Sequence, residues 1–185
     1  MLNKIRNAFT NKAPVTAAPE YPSPPECLYC TELDDGFLVA GHIFQKKYAL
    51  SAPQVPRHFV AFYRTPERLL VPLCYLHHKP YKNVFLVGGA CTDGDAFAFV
   101  SEQHKELLRS TPGVFYFLLR HAFEKLQDQC EAFFGYCGDP RALEVDLQAG
   151  FEATDREYIL IYAPNGLSGE RRSQLLDEIA SLGAF

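Results

Sequence analysis

Tryptophan is absent, methionine occurs once, and no apolar run approaches the length of a membrane span. A transmembrane helix needs about 20 consecutive apolar residues, so none is expected. The opening stretch, Met1 to Lys12, lacks the apolar centre of a secretory signal, and a cytoplasmic setting is the expectation. Positive charge is not in excess: 18 Lys and Arg face 22 Asp and Glu, for a formal charge of -4. Nucleic-acid binding calls for clustered cations, so a nucleic-acid partner is not expected. The six cysteines (Cys27, Cys30, Cys74, Cys91, Cys130 and Cys137) sit mostly in apolar surroundings and are expected as packed, reduced thiols. What the chain has in quantity is apolar and aromatic side chain, 48% of 185 residues, enough for one substantial core.

Residues 1–25 read as an N-terminal tether, because Thr10 to Pro25 is rich in Ala and Pro and nearly free of large aliphatics. A single domain is expected over 26–164, with a helical extension at 165–185. Within the domain, Cys27 to Leu33 reads as a strand. Asp34-Asp35-Gly36 then offers a cap to a helix in which Phe37, Ala40, Ile43, Phe44 and Tyr48 recur at helical spacing. Three apolar runs follow, His58–Tyr63, Leu69–Leu76 and Val84–Cys91, joined by charged, Pro-containing links; an antiparallel meander is the natural reading. Pro72 cannot donate to a ladder, so a bulge or unpaired position is expected beside it. Ser101 caps a short helix, and a longer one is signalled from Gly113 to Cys130.

The most informative stretch is Phe133 to Tyr162. It runs strand, then Cys137-Gly138-Asp139-Pro140 with Asp139 placed to cap and Pro140 at the first helical position, then Gly150-Phe151, then strand. This unit, and the element order over Glu26 to Ala163, resembles the GNAT (general N-acetyltransferase) superfamily of acyl-CoA transferases. The resemblance implies an α/β fold: a mixed, mostly antiparallel sheet of six to seven strands, flanked by helices and splayed between its fourth and fifth strands. It also implies an N-acyltransferase that uses acetyl-CoA or another acyl-CoA as co-substrate, with a small-molecule or protein amine as acceptor.

Ala90, Cys91 and Thr92 match the positions where the family pairs pantetheine with the fourth strand. Arg109, Thr111, Gly113, Val114 and Phe115 stand where it holds pyrophosphate on the entry to the long helix. The helix-start donors and dipole suit an anion, although Arg109-Ser-Thr-Pro-Gly113 departs from the family's [RQ]xxGx[GA] and Phe115 replaces a small residue. Asp139, at the next helix start, joins this cofactor-binding set. The family's acidic Tyr falls on Val145 here, which leaves Tyr136 and Cys137 as candidate proton donors. Strand alternation predicts that at most one of these two faces the substrate. His78, with His77 beside it, and Asp93 are the candidate bases.

Cys27-x-x-Cys30 with Cys74-x-x-His77 has the composition of a zinc set, but residues three apart on a strand point to opposite faces, and no metal is expected. The irregular phosphate loop leaves an acyl-carrier protein as an alternative donor, and a non-catalytic binding module as a third reading.

Overall fold

A computed structural model describes residues 21–54 and 57–185; the expected tether and head at residues 1–20 lie outside the described residues. Leu28–Leu33 forms β1, and the Asp35 carboxylate accepts from the Phe37 and Leu38 N–H groups to start α1, Gly36–Tyr48. That satisfies two of the donors a helix start leaves unpaired. The meander follows as β2 (Arg57–Arg64), β3 (Leu70–Tyr81) and β4 (Val84–Thr92). A 3-10 segment, Asp95–Phe99, and α2, Glu102–Arg109, lead to α3, Val114–Leu126. Then come β5 (Ala132–Tyr136), α4 (Pro140–Gln148), the two-residue β6 (Glu152–Ala153), β7 (Ile159–Tyr162) and α5 (Gly169–Ala180). Ser101, Asp139 and Ser168 each cap the helix that follows with a side-chain oxygen.

The strands form one sheet in the order β1-β2-β3-β4-β5-β7-β6. All neighbours are antiparallel except β4 and β5. A parallel pair needs a crossover, and α3 supplies it. The bulge expected at Pro72 is present: the β2–β3 register shifts between Ala61 and Phe62, leaving Leu73 as the extra residue.

β3 runs further than the sequence implies. The segment His77–Asn83, expected as a link, continues the strand to Tyr81 and leaves Lys82-Asn83 as the turn, with Lys82 at φ 49°. Polar residues and Pro80 disguise this half of the strand, yet ladders on both sides hold it: His78 pairs with Arg57 on β2 and with Val87 on β4.

α1 packs on one sheet face with Val60, Phe62, Tyr75 and Cys91. α5 uses Leu175, Leu176 and Ile179 to cover Leu86, Phe134 and Ile161. Because Leu86 and Gly88 share a face and Gly88 pairs with His77, two residues from Tyr75, α1 and α5 lie on the same side. α3 and α4 cover the other side, over an aromatic cluster that includes Phe59, Phe85, Phe123, Phe133 and Phe151. Each such ring, fully buried, contributes about 1.5–3 kcal/mol. Arg120 of α3 ties α4 to this layer. Its Nη1 donates to the Ala149 carbonyl at 3.1 Å, and its guanidinium lies 3.5 Å from the centre of the Tyr21 ring.

Candidate active site

β4 and β5 pair only over Val84–Val87 and Ala132–Gly135. Beyond that point β4 continues to Thr92 while β5 turns away with β7, so among the described residues one backbone edge of Gly88–Thr92 has no strand partner. The register between β3 and β4 also shifts here, so that Gly89 and Ala90 oppose the single residue Leu76, with Gly89 at φ 65°. A bulge of this kind re-aims backbone groups and side chains.

The fork opens into a cleft of about 850 Å³. Its walls are Phe44, Lys47 and Tyr48 of α1, His77 and Lys79 of β3, Gly88 to Ala90, Phe115 of α3, Tyr136 to Asp139 after β5, Asp146 of α4, Phe151, and Phe185. A second cavity of about 450 Å³ lies between α2 and the start of α3, lined by Lys105, Arg109, Gly113 and Val114. Val114 lines this cavity and Phe115 the cleft, so the first turn of α3 borders both. Among the described residues no side chain caps this helix. Thr111 accepts only the Gly113 N–H, at 3.2 Å, while its own hydroxyl donates to the Leu108 carbonyl.

Several residues singled out in the sequence meet around the cleft. Ala90 lines it, and its carbonyl accepts from the Tyr48 hydroxyl at 2.8 Å. Tyr136 and Cys137 both line it, against the expectation that only one would: β5 ends at Tyr136, so alternation no longer governs Cys137, whose N–H bonds the Tyr158 carbonyl. Asp139 is at the rim, where its carboxylate accepts from Arg141 and Ala142 N–H and is held below the usual carboxylate range by those bonds.

Others are drawn elsewhere. Cys91 packs against α1 and Thr92 donates its hydroxyl to Cys74 Sγ. Asp93 is taken by Lys46 at 2.6 Å, which also pairs with Asp95; the Lys46 bond holds the Asp93 carboxyl low, and this ion pair ties α1 to the end of β4.

His78 does not line the cleft. It is fully buried on the α3 side, ringed by Phe59, Phe85, Phe123 and Phe133, with neither ring nitrogen hydrogen-bonded among the described residues. Alternation puts its neighbour His77 on the opposite face, and there His77 lines the cleft. The same alternation separates Cys74 from His77, which is why the zinc-like spacing does not converge. Burial, reinforced by His58 and Lys79, pushes the His77 imidazole down to about 4.

Asp146 was missed in the sequence. It is buried on α4 and faces the cleft, and burial raises its carboxyl to about 6 even beside the Cys137 thiol, whose Sγ–H donates to the Asp139 carbonyl at 3.5 Å. The signal available was a charge three residues from both Leu143 and Ala149 on the apolar side of a short helix. The cleft thiol itself is pushed up to about 11, by burial first and then by the Asp146 charge. Cys91 is pushed up to about 12 by burial. Neither has the depressed value of an activated nucleophile.

A seven-stranded sheet with one parallel pair, forked between β4 and β5 and crossed over by α3, is the GNAT architecture in a divergent form. No protein-family model and no curated protein sequence matches the chain. Among solved structures it is similar to the ribosomal-protein-S18-alanine N-acetyltransferase from Escherichia coli, at 12% identity and TM-score 0.48, over 77% of this chain and 97% of that one. It is also similar to a putative acetyltransferase from Pyrococcus horikoshii, at 10% identity and TM-score 0.48, over 75% of this chain and 48% of that one. The third is N-acetylglutamate synthase from Neisseria gonorrhoeae, solved with coenzyme A and L-arginine, at 9% identity and TM-score 0.49, over 75% of this chain and 34% of that one. The chain thus spans about half and a third of the length of the last two. Likeness at this level concerns architecture alone. No helix among the described residues is long and apolar enough to cross a membrane.

Proposed function

We propose that the protein is an acyltransferase that moves an acyl group from a coenzyme A thioester to an amine by direct attack. The observation that carries this reading is the fork itself: a β4 edge without a strand partner among the described residues, beside a helix N-terminus without a side-chain cap, lining a cleft walled by α1, α3 and α4. The pantetheine arm would lie along Gly88–Thr92 as an added strand. Its pyrophosphate would sit on the first N–H groups of α3, where unpaired donors and the helix dipole favour an anion. Lys105 and Arg109 line the cavity at the start of α3 with charge of the right sign.

Direct attack is favoured over an acyl-enzyme because burial keeps the cleft thiol, Cys137, protonated. The chain then contributes position and a polarised carbonyl, the latter from backbone N–H groups at the Gly89 bulge. When the C–S bond breaks, the departing sulfur needs a proton. Cys137 and Asp146 together form the donor on the α4 wall, with the Tyr136 hydroxyl beside them. A carboxyl near 6 is acidic enough to protonate a thiolate of ordinary basicity, about 8.5.

Coenzyme A should raise the melting temperature in a concentration-dependent way, and acetyl-CoA with an amine panel should release free thiol. Protection by a holo acyl-carrier protein and none by coenzyme A would move the donor to the carrier. Coenzyme A binding with no thiol release from any amine would leave a binding module.

A further inference from the structure

The wall opposite Asp146 carries a hydrogen-bonded chain of three side chains. Pairing of β2 with β3 sets His58 opposite His77, and Tyr75 lies two residues along on the same face. The Tyr75 hydroxyl is 2.8 Å from His58 Nδ1 and 3.4 Å from His77 Nδ1. One hydroxyl proton serves two imidazole nitrogens, so Tyr75 donates to one and accepts from the other. The shorter bond is to His58. With Tyr75 donating there, His77 Nδ1 bears the proton that Tyr75 accepts, and His77 Nε2 keeps its lone pair.

That lone pair is at the fork. A Cβ placed on Gly88 would lie 2.9 Å from His77 Nε2, and one on Gly89 would lie 2.6 Å from Cε1 and Nδ1. The imidazole therefore rests directly on the two glycines where β4 leaves β5, with the Phe44 ring centre 6.2 Å away. The glycine pair is what admits the ring.

We propose that His77 Nε2 is the base for the acceptor amine, and that Tyr75 and His58 are positioning residues that fix its tautomer. This rests on the acyltransferase reading above. The amine nitrogen forms the new C–N bond with the thioester carbon, and the carbonyl π pair moves to oxygen. The proton on the attacking nitrogen passes to His77 Nε2. On collapse the oxygen pair restores C=O, and the C–S bond breaks. Sulfur keeps the pair and takes its proton from the Cys137–Asp146 wall, and His77 returns its proton to solvent. The nitrogen of the addition intermediate is far more acidic than a free alkylammonium, so a weak base suffices. Lys47 and Lys79 line the cleft with His77, and the acceptor enters as the neutral amine.

The decisive measurement is the long-range 1H–15N histidine spectrum of the full chain at neutral pH, with His77 assigned by its loss in His77→Gln. A protonated Nδ1 and bare Nε2 are expected, with Tyr75→Phe shifting His77 toward the Nε2–H tautomer. A native Nε2–H form overturns the proposal, as does no change in Tyr75→Phe. Diethyl pyrocarbonate should label His77, and saturating acetyl-CoA should abolish that labelling; undiminished labelling also overturns it. With acetyl-CoA and glycinamide, His77→Gln should lose about 10²-fold in kcat with KM for acetyl-CoA unchanged, and a change in KM alone counts against it. Absence of thermal protection by coenzyme A is a separate result: it sinks the acyl-CoA reading, whereas the tautomer readout needs no turnover.

Discussion

Acid should destabilise this protein through His78, and replacing that residue should remove the effect. Its imidazole is fully buried against four phenylalanine rings, and burial pushes it from 6.5 down to about 3. A base depressed by folding is neutral in the native state and protonated in the unfolded chain between those two values. The unfolded state then binds more protons, and stability falls as pH drops below about 6.5. At about pH 5 the loss is about 1.5 pH units at about 1.36 kcal/mol each, or about 2 kcal/mol. For a chain of this size that is about 4–8 °C in melting temperature. In His78→Leu, two unpaired buried nitrogens also disappear, each worth about 1–3 kcal/mol when orphaned, so the variant should be no less stable at neutral pH. Thermal and urea unfolding of both proteins at about pH 7.5 and pH 5 decides it. His77 and His121 are depressed in the same direction, so the variant retains some acid sensitivity, and the difference between the two proteins isolates His78. Parallel losses of stability would refute the reasoning. The same variant should keep its thiol-release activity, because His78 does not reach the cleft.

Asp146→Asn should trade activity for stability. Folding raises its carboxyl from 3.8 to about 6, so the native advantage held in acid is lost as pH rises through that value, and the amide avoids the loss. A gain of about 2–3 kcal/mol at neutral pH, read by thermal unfolding, should accompany a fall of about 10²-fold in kcat. Gly89→Ala should cost about 1–3 kcal/mol through its positive φ alone. It should also displace the His77 ring, seen as lost turnover beyond the fall in melting temperature. Asp139→Ala removes the α4 cap and should cost about 1 kcal/mol in urea unfolding; an unchanged midpoint would deny the capping role.

Much of the fold was legible because its signals are local. Asp35, Ser101, Asp139 and Ser168 announce helix starts through one carboxylate or hydroxyl each, and Gly150 ends α4 at φ 112°, a conformation a side chain resists. Pro72 marked its bulge by lacking an N–H. The forked sheet was implied by the family resemblance that the element order and the Phe133–Tyr162 unit carry. The second half of β3 stayed hidden because nothing local makes His77 to Tyr81 a strand; the ladders of β2 and β4 do.

The site divides along the same line. Once the ladders of β2 and β4 hold His77 and His78 in β3, the strand's period of two sends them to opposite faces. Only the tertiary structure decided which face is the cleft, because that depends on α1 covering Tyr75 and α3 covering Phe59. The sequence by itself determined that Asp146 sits on a short capped helix. That the carboxyl is buried against Cys137, across the fork from His77, was decided where β4 and β5 part, a divergence between strands some forty residues apart in the chain.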